Sequence, residues 1–348
     1  MFFQNRWATI LKRLEKFSGV DKMKIYYQKN KTGIEVVRVW SRSDVVIIPE
    51  KLGDEKITGI APYAFSNHKD EDEEVLTMEI EEEEGTELQL RAGLSVKEIH
   101  LPKTVTYIGN YAFYGCMEMT MFHGSDRIVR MGSGVFTGCR LSRVQIDFYD
   151  GDKSCLKEIL TEIRYEILAT LKYKNKGNTE VKILFPEHYL DAVENTPARI
   201  VENRYYGSGG EYRECFYRKT LDYMKYDRMF SISQVRDEAK ATAGIALLRM
   251  KYPYNLTKED SDIYENYIRK NMKDITDYFL EDEKQGEMFY GIDVVEMLEF
   301  CCERQYFDRD SLEAVIEKTA DEGQTEILSI LMDTRHRFFP EKRKKFVL

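Results

Sequence analysis

Apolar positions follow a short, strand-like period in the first half of the chain and a three-to-four-residue period in the second. The stretch from Val96 to Cys116, VKEIHLPKTVTYIGNYAFYGC, sets the first pattern. Val96, Ile99 and Leu101 predict a short strand with alternate side chains turned into a core, and Pro102 ends its hydrogen-bonding run. Gly109 then permits a tight turn. Tyr111-Ala112-Phe113 returns a small residue and an aromatic to the interior before Gly115-Cys116 closes the unit.

The unit repeats. Positions matched to Leu101 are Ile48, Ile80, Met121 and Ile146, at steps of 32, 21, 20 and 25 residues. Most steps fall in the range of leucine-rich repeats, whose units bury their apolar faces only by stacking. The turn half recurs as Ile60 with Tyr63-Ala64-Phe65 and Asn67, and as Met131 with Val135-Phe136 and Gly138-Cys139. Phe65, Phe113 and Phe136 are therefore expected in one shared core. The copy from Val75 to Leu94 has Leu90-Arg91-Ala92-Gly93 where the aromatic turn belongs, which marks it as irregular.

This combination of strand and turn over residues 24 to 147 resembles the BspA-like leucine-rich repeat family. The resemblance implies a bacterial protein of interaction or adhesion type. Outward positions between the core residues are Glu79, Glu98, His100, Thr120, Arg143 and Gln145, with Thr77 and Glu118 beside them. If the strands stack, these side chains form one continuous row, the expected partner-binding surface.

Before the repeats, Phe3, Trp7, Ile10, Leu11, Leu14 and Phe17 predict an amphipathic helix, interrupted by Arg6, Lys12, Arg13 and Lys16. Those charges do not suit an export signal, so the helix reads as a cap, with a membrane-surface or partner helix as the alternative. Lys24 to Gln28 and Ile34 to Trp40 then predict a hairpin around Lys29-Asn30-Lys31-Thr32-Gly33.

After Asp150-Gly151-Asp152 the period changes. Leu156, Ile159, Leu160, Ile163, Ile167 and Leu171 predict one helix running to about Lys176, and a short helix is expected from His188 to Glu194. Further helices are expected at Ser233–Met250, Lys258–Lys270, Lys273–Glu281, Asp293–Gln305, Arg309–Asp321 and Gln324–Asp333. Val294, Val295, Met297 and Leu298 echo Ile327, Leu328, Ile330 and Leu331 at an offset of 33 residues, the length of an ankyrin repeat. No TPLHxA motif accompanies them.

The fold class expected is α+β: a leucine-rich-repeat solenoid of about five coils with a helix and hairpin cap, then an all-α helical-hairpin domain. The divisions are 1–23 for the cap helix, 24–150 for the repeats, 151–251 for a mixed and mainly helical middle region, 252–334 for ankyrin-like hairpins and 335–348 for a basic tail.

Charge changes this picture little. The chain of 348 residues carries a formal charge of −9, but residues 70–87 hold eleven acidic and no basic side chains, so the remainder is near neutral. The acidic run reads as a solvated loop, or as a patch for a basic partner. The tail, with Arg337, Lys342, Arg343, Lys344 and Lys345, is too small a basic cluster to favour nucleic acid. No apolar run is long enough to span a membrane.

Candidate chemistry is sparse. The six cysteines form no CxxC pair and the five histidines no HExxH or Cys/His ligand spacing, so neither metal nor cofactor is expected. Gly207-Ser208-Gly209-Gly210 with Cys215 raises a nucleotide or thiol site at 207–215, but the Lys-Ser/Thr of a P-loop is missing. The function expected is a non-catalytic, cytoplasmic scaffold for protein partners. The alternatives are a thiol enzyme or nucleotide binder at 207–215, and an adaptor for membranes or nucleic acid using the first helix and the tail.

Overall fold

The computed structural model of the protein describes residues 23–41, 43–66, 76–80, 95–195 and 200–340, with residues 76–80, 192–195 and 200–204 described by backbone alone. The expected cap helix, most of the acidic run and residues 341–348 lie outside the described residues. The chain divides into two compact units, one of residues 1–165, 171–179 and 218–220, the other of 166–170, 180–217 and 221–348.

The first unit opens on the expected hairpin, β1 (Met23–Asn30) and β2 (Gly33–Ser41), closed by pairing of Asn30 with Gly33. Short strands follow: β3 (Val45–Ile47), β4 (Lys51–Leu52), β5 (Glu55–Ile60), β6 (Leu76–Ile80), β7 (Glu98–His100), β8 (Tyr107–Ile108), β9 (Met121–Ser125), β10 (Arg130–Met131) and β11 (Arg143–Phe148). Each coil gives one strand to each of two sheets. In one, β3, β7, β9 and β11 are parallel neighbours, and in the other β2, β5, β8 and β10 are. This is the leucine-rich-repeat solenoid expected from the sequence, of about five turns, within an α+β chain.

The core follows from the repeating turn. Phe65, Phe113 and Phe136 are buried and stack, with ring centroids 5.0 Å apart for the first pair and 5.4 Å for the second. Cys116 and Cys139 fill the end of the turn, their thiols donating to the carbonyls of Phe65 (3.6 Å) and Phe113 (3.2 Å) of the preceding coil. Tyr63 and Tyr111 open the motif in the left-handed region, at φ 55° and 57°, and glycine takes that position in the third coil as Gly134 at φ 64°. A ladder of backbone bonds links the turns, including Phe65 N to Ala112 O and Phe113 N to Val135 O. At its end a helix, α1 (Leu156–Glu162), supplies Glu162, whose carboxylate accepts from Val135 N at 3.2 Å and Phe136 N at 2.8 Å. Those two donors would otherwise be orphaned at the edge of the stack.

Two phases of the repeat differ from expectation. Ile80 does not mark a coil: β6 pairs antiparallel with β1, while β3 pairs directly with β7. The alternating sequence Leu76–Ile80 serves as an extra strand on the hairpin, and the coils on either side of residues 67–94 are adjacent. Met121 is not a core position either. It pairs with Glu98 and Arg143, whereas Phe122 stands level with Ile99 and Val144, and Gly124 with Ile146. The missing side chain at Gly124 hides the phase. A Cβ there would meet Ile128 at 2.8 Å and Phe122 at 2.9 Å, so those two side chains already occupy the space that Leu101 fills in its own coil.

The middle region is largely extended, not helical, before residue 207. Strands β12 (Ile167–Tyr173) and β13 (Thr179–Phe185) follow β11 in sheet order, and β14 (Tyr189–Asn195) pairs antiparallel with β15 (Ile200–Tyr206). Ile167 and Leu171 share the helical spacing of Ile159 and Ile163 by coincidence, and Ile163 is already extended at ψ 125°. Three consecutive buried residues, Ile167, Leu168 and Ala169, mark a strand whose first half is covered on both faces.

Beyond α2 (Gly209–Arg213), the small strands β16 (Phe216–Tyr217) and β17 (Thr220–Leu221) and the helix α3 (Tyr223–Arg228), the second unit is helical: α4 (Phe230–Arg236), α5 (Ala239–Lys251), α6 (Lys258–Gln285), α7 (Val294–Glu303), α8 (Arg309–Glu322) and α9 (Thr325–Phe338). Caps set the boundaries. Thr257 and Asp293 accept from N–H groups of the first turn, Asp308 and Ser311 form a capping box, and Gly286 and Gly323 end helices at φ 68° and 71°. The helix expected from Ser233 is split because Asp237, extended at ψ 162°, turns its carboxylate to Ser208. The two helices expected within 258–281 are one, kinked at Asn271. The 33-residue echo relates the first turns of α7 and α9, which pack together, and Arg335 to Phe338 belong to α9, not to a tail.

Candidate functional site on the solenoid face

Strand register determines which polar side chains share the outer face. One row is Val45, Glu98, Met121 and Arg143, and the next is Ile47, His100, His123 and Gln145. Between them runs the buried row Val46, Ile99, Phe122 and Val144. Of the residues expected to form a recognition surface, Glu98, His100, Arg143 and Gln145 are therefore neighbours. Thr120 precedes β9 in the inter-coil turn, where its N–H donates to Lys97 O and its carbonyl accepts from Arg143 N, both at 2.9 Å. Glu79 stands in β6, in the other sheet, and is not part of the row.

The side chains interlock. Arg143 Nη2 donates to Glu98 Oε1 at 2.9 Å, and Glu98 Oε2 lies 3.7 Å from His100 Nε2. His100 Nδ1 and His123 Nδ1 are 3.1 Å apart, with their rings edge to face. Gln145 Nε2 lies 3.1 Å from His123 Nε2 and donates to Asp147 Oδ1 at 3.0 Å. His123 Nε2 is also 3.4 Å from that carboxylate oxygen. A chain of polar contacts thus crosses three coils, from Arg143 and Glu98 through two imidazoles to Asp147. The Nδ1 contact needs one nitrogen to donate and the other to accept, so the two rings share one proton along it.

Hydrogen bonding shapes the acidity of both ends. The contact with His100, aided by the Arg143 charge, holds the Glu98 carboxyl below the usual carboxylate range against its partial burial. Burial alone would raise Asp147, but hydrogen bonds from His123 and Gln145 outweigh it and hold this group low as well. A carboxyl depressed in the folded state contributes stability above its unfolded value of about 4, and that contribution is lost as pH falls through the folded value. Melting temperature should therefore drop as pH is lowered below about 4. It should drop less steeply for Asp147→Asn, and equal slopes in a pH series followed by fluorescence would contradict the arrangement.

Beside the histidines a shallow cleft of about 280 Å³ is lined by Ile47, Leu101, Gly124, Ser125, Asp147 and Tyr149 among others. Ile47 is 49% exposed at its rim. His123 escapes the sequence reading because the apolar Met121 points to the wrong phase, and Asp147 and Tyr149 because they follow Ile146, where the repeat was expected to end. With Gly124 in the place of Leu101, His123 falls beside His100 directly.

The segment 207–215 has a packing explanation. A Cβ on Gly209 would lie 2.0 Å from Pro186 O and one on Gly207 2.2 Å from Glu187 O, so glycine is required for close approach of two backbones. Ser208 N donates to Asp237 Oδ1 at 2.7 Å, where an anion would have to bind. Cys215 is buried, its thiol donates to Glu211 O at 3.4 Å, and burial pushes its pKa up to about 12. That is the opposite of an activated nucleophile. Among the described residues no group of three or more His, Cys, Asp or Glu is placed to hold a metal ion, and no helix is long and apolar enough to cross a membrane.

Parallel strands at coil-length intervals, a stacked aromatic spine and a polar outer face define a β-solenoid repeat protein. Residues 91–166 match the family described as BspA type leucine rich repeat region (6 copies), so this stretch is a BspA-type leucine-rich repeat region. Among solved structures, a leucine-rich repeat protein from Bacteroides ovatus ATCC 8483 is similar at 18% identity over 37% of this chain and 36% of that one, with a TM-score of 0.24. The T. pallidum leucine-rich repeat protein TpLRR is similar at 15% identity over 35% of this chain and 68% of that one, with a TM-score of 0.20. No curated protein gives a significant match.

Proposed function

We propose that the protein is a non-catalytic scaffold that docks a protein partner on the outer face of its parallel sheet. The observation that carries this reading is the pair of side-chain rows, Glu98–Met121–Arg143 and Ile47–His100–His123–Gln145, which mixes both charges with the exposed Ile47 and the half-buried Met121, the second row bordering the cleft through Ile47, His100 and His123. A surface of that kind gives a partner an apolar anchor with a polar rim. Thr120 borders it. The acidic run of residues 70–87 is a second candidate in this reading, suited to a basic partner through its effect on association rate. The helical hairpin of α8 and α9 is the second recognition module in this reading. A cytoplasmic setting is supported by six unbridged, buried thiols.

The test uses site-specific photo-crosslinking from Gln145 in cells, with quantitative recovery of the crosslinked partner. Glu98→Lys and Arg143→Glu should each reduce recovery by about tenfold, the scale of a charged contact at an interface. Recovery from both variants equal to that of wild type would move docking to the helices.

A further inference from the structure

The second unit holds an open cavity of about 610 Å³ that the docking reading does not use. Glu166, Glu187, Glu238, Tyr189, Tyr205 and Tyr206 line it. Tyr189 and Tyr206 face each other in register across β14 and β15 and stack at 4.5 Å. Tyr205, beside them, is 69% exposed. Aromatic faces of this kind are uncommon on open surface and attract cations through the ring quadrupole.

The cations near the cavity are committed elsewhere. Arg236 lines it but pairs with Glu211 at 2.5 Å, and Lys240, the cation acting on Glu166, pairs with Asp282 at 2.5 Å. Asp237, also in the lining, is taken up by the N–H and hydroxyl of Ser208. That leaves the carboxyls of Glu166, Glu187 and Glu238 around a space whose lining cation, Arg236, is already paired with Glu211. Burial, with Glu187 and Asp237 nearby, pushes Glu166 up to about 7 even though Tyr290 donates to it at 3.5 Å. A ligand cation would supply what that carboxyl lacks.

Three carboxyls exclude an anion. The volume lies in the range of organic-ligand sites, and the acidic side chains do not converge as metal ligands. We infer that this cavity binds an organic cation, an alkylammonium or guanidinium group, seated between the tyrosine rings and the carboxylates. The cation belongs to a free amine or to a lysine or arginine side chain of a polypeptide, and the inference stands independently of the solenoid face.

Calorimetric titration of the full chain tests it, with spermidine, N-acetyl-lysine amide, N-acetyl-arginine amide and a capped tri-lysine peptide as probes and N-acetyl-glutamate amide as control. Saturable binding of at least one amine is expected. Glu166→Gln and Tyr205→Ser should each weaken it about tenfold, as loss of a charged hydrogen bond or an aromatic face does. Tyr205 is largely exposed, so its variant remains informative if Glu166→Gln fails to fold. Glutamine at Glu81 through Glu84 separates the cavity from the acidic run and should leave binding unchanged. Tighter binding of spermidine identifies a free amine as the natural occupant, and tighter binding of tri-lysine a polypeptide. The inference is overturned if no amine binds, if both cavity variants bind as wild type does, or if only neutralising the acidic run weakens binding.

Discussion

Phe113→Ala should lower the stability of the solenoid by about 3–5 kcal/mol. Phe113 is fully buried between Phe65 and Phe136 and meets Phe122 edge to face at 6.3 Å, so its removal opens a cavity shared by three coils. The cavity cannot collapse easily. The backbone ladder through Phe113 N and Val135 O fixes the coil spacing, and the loss includes the aromatic contacts on both sides as well as transfer of the ring. Phe113→Leu, which keeps most of the volume, should cost much less. The only tryptophans are Trp7 and Trp40, both within residues 1–165, so denaturant unfolding followed by tryptophan fluorescence reports on this unit. A shift below about 1 kcal/mol for Phe113→Ala would mean that the stacked rings do not hold the coils together.

The second large effect is expected in the helical unit, where Arg249 and Asp227 form an ion pair with both side chains fully buried. Arg249 Nε and Nη2 donate to the two carboxylate oxygens at 2.7 and 2.8 Å. Tyr264 adds a hydroxyl donor to Asp227 at 2.8 Å, and Tyr254 O accepts from Arg249 Nη2 at 3.1 Å. Burial works against charge on either partner. The bidentate geometry keeps both charged, since each oxygen and two of the three guanidinium nitrogens are matched. Asp227→Ala should therefore cost about 3–5 kcal/mol, because it strands a buried guanidinium. Arg249→Met should cost a similar amount by stranding the carboxylate. The double variant Asp227→Leu with Arg249→Met should recover much of the loss, since an apolar pair has no desolvation penalty to offset. Loss of helical circular dichroism on heating measures all three, and additive losses in the double variant would contradict the coupling.

What could be read from sequence divides along physical lines. The turn motif was legible because it reuses one set of side chains, Tyr-Ala-Phe and Gly-Cys, for one set of contacts. Helices α7 and α9 were legible from apolar positions that echo one another, such as Val294 and Met297 in Ile327 and Ile330, and the unexpected join at Asn271 in α6 is a kink where a break was expected. The phase of the third coil was not, because its inward position is Gly124 and the apolar Met121 offered a false match. The strand Ile167–Tyr173 was hidden because its first three residues are all buried and because Ile167 and Leu171 stand four apart, a spacing that a helix shares. Of the surface residues, register joined Glu98, His100, Arg143 and Gln145, but His123, which connects them, required the corrected phase, and Asp147 follows Ile146, where the repeat was expected to end.

All six cysteines are free and buried, and burial raises the pKa of Cys155, Cys301 and Cys302 as it does that of Cys215. The folded molecule thus keeps its thiols buried, out of reach of alkylating reagents. Cys116 and Cys139 in the coils, and Cys301 and Cys302 in the helices, become labelled only when their own neighbourhood opens. The chain in this way carries its own reporters of breathing, one set in each half, with no probe to be added.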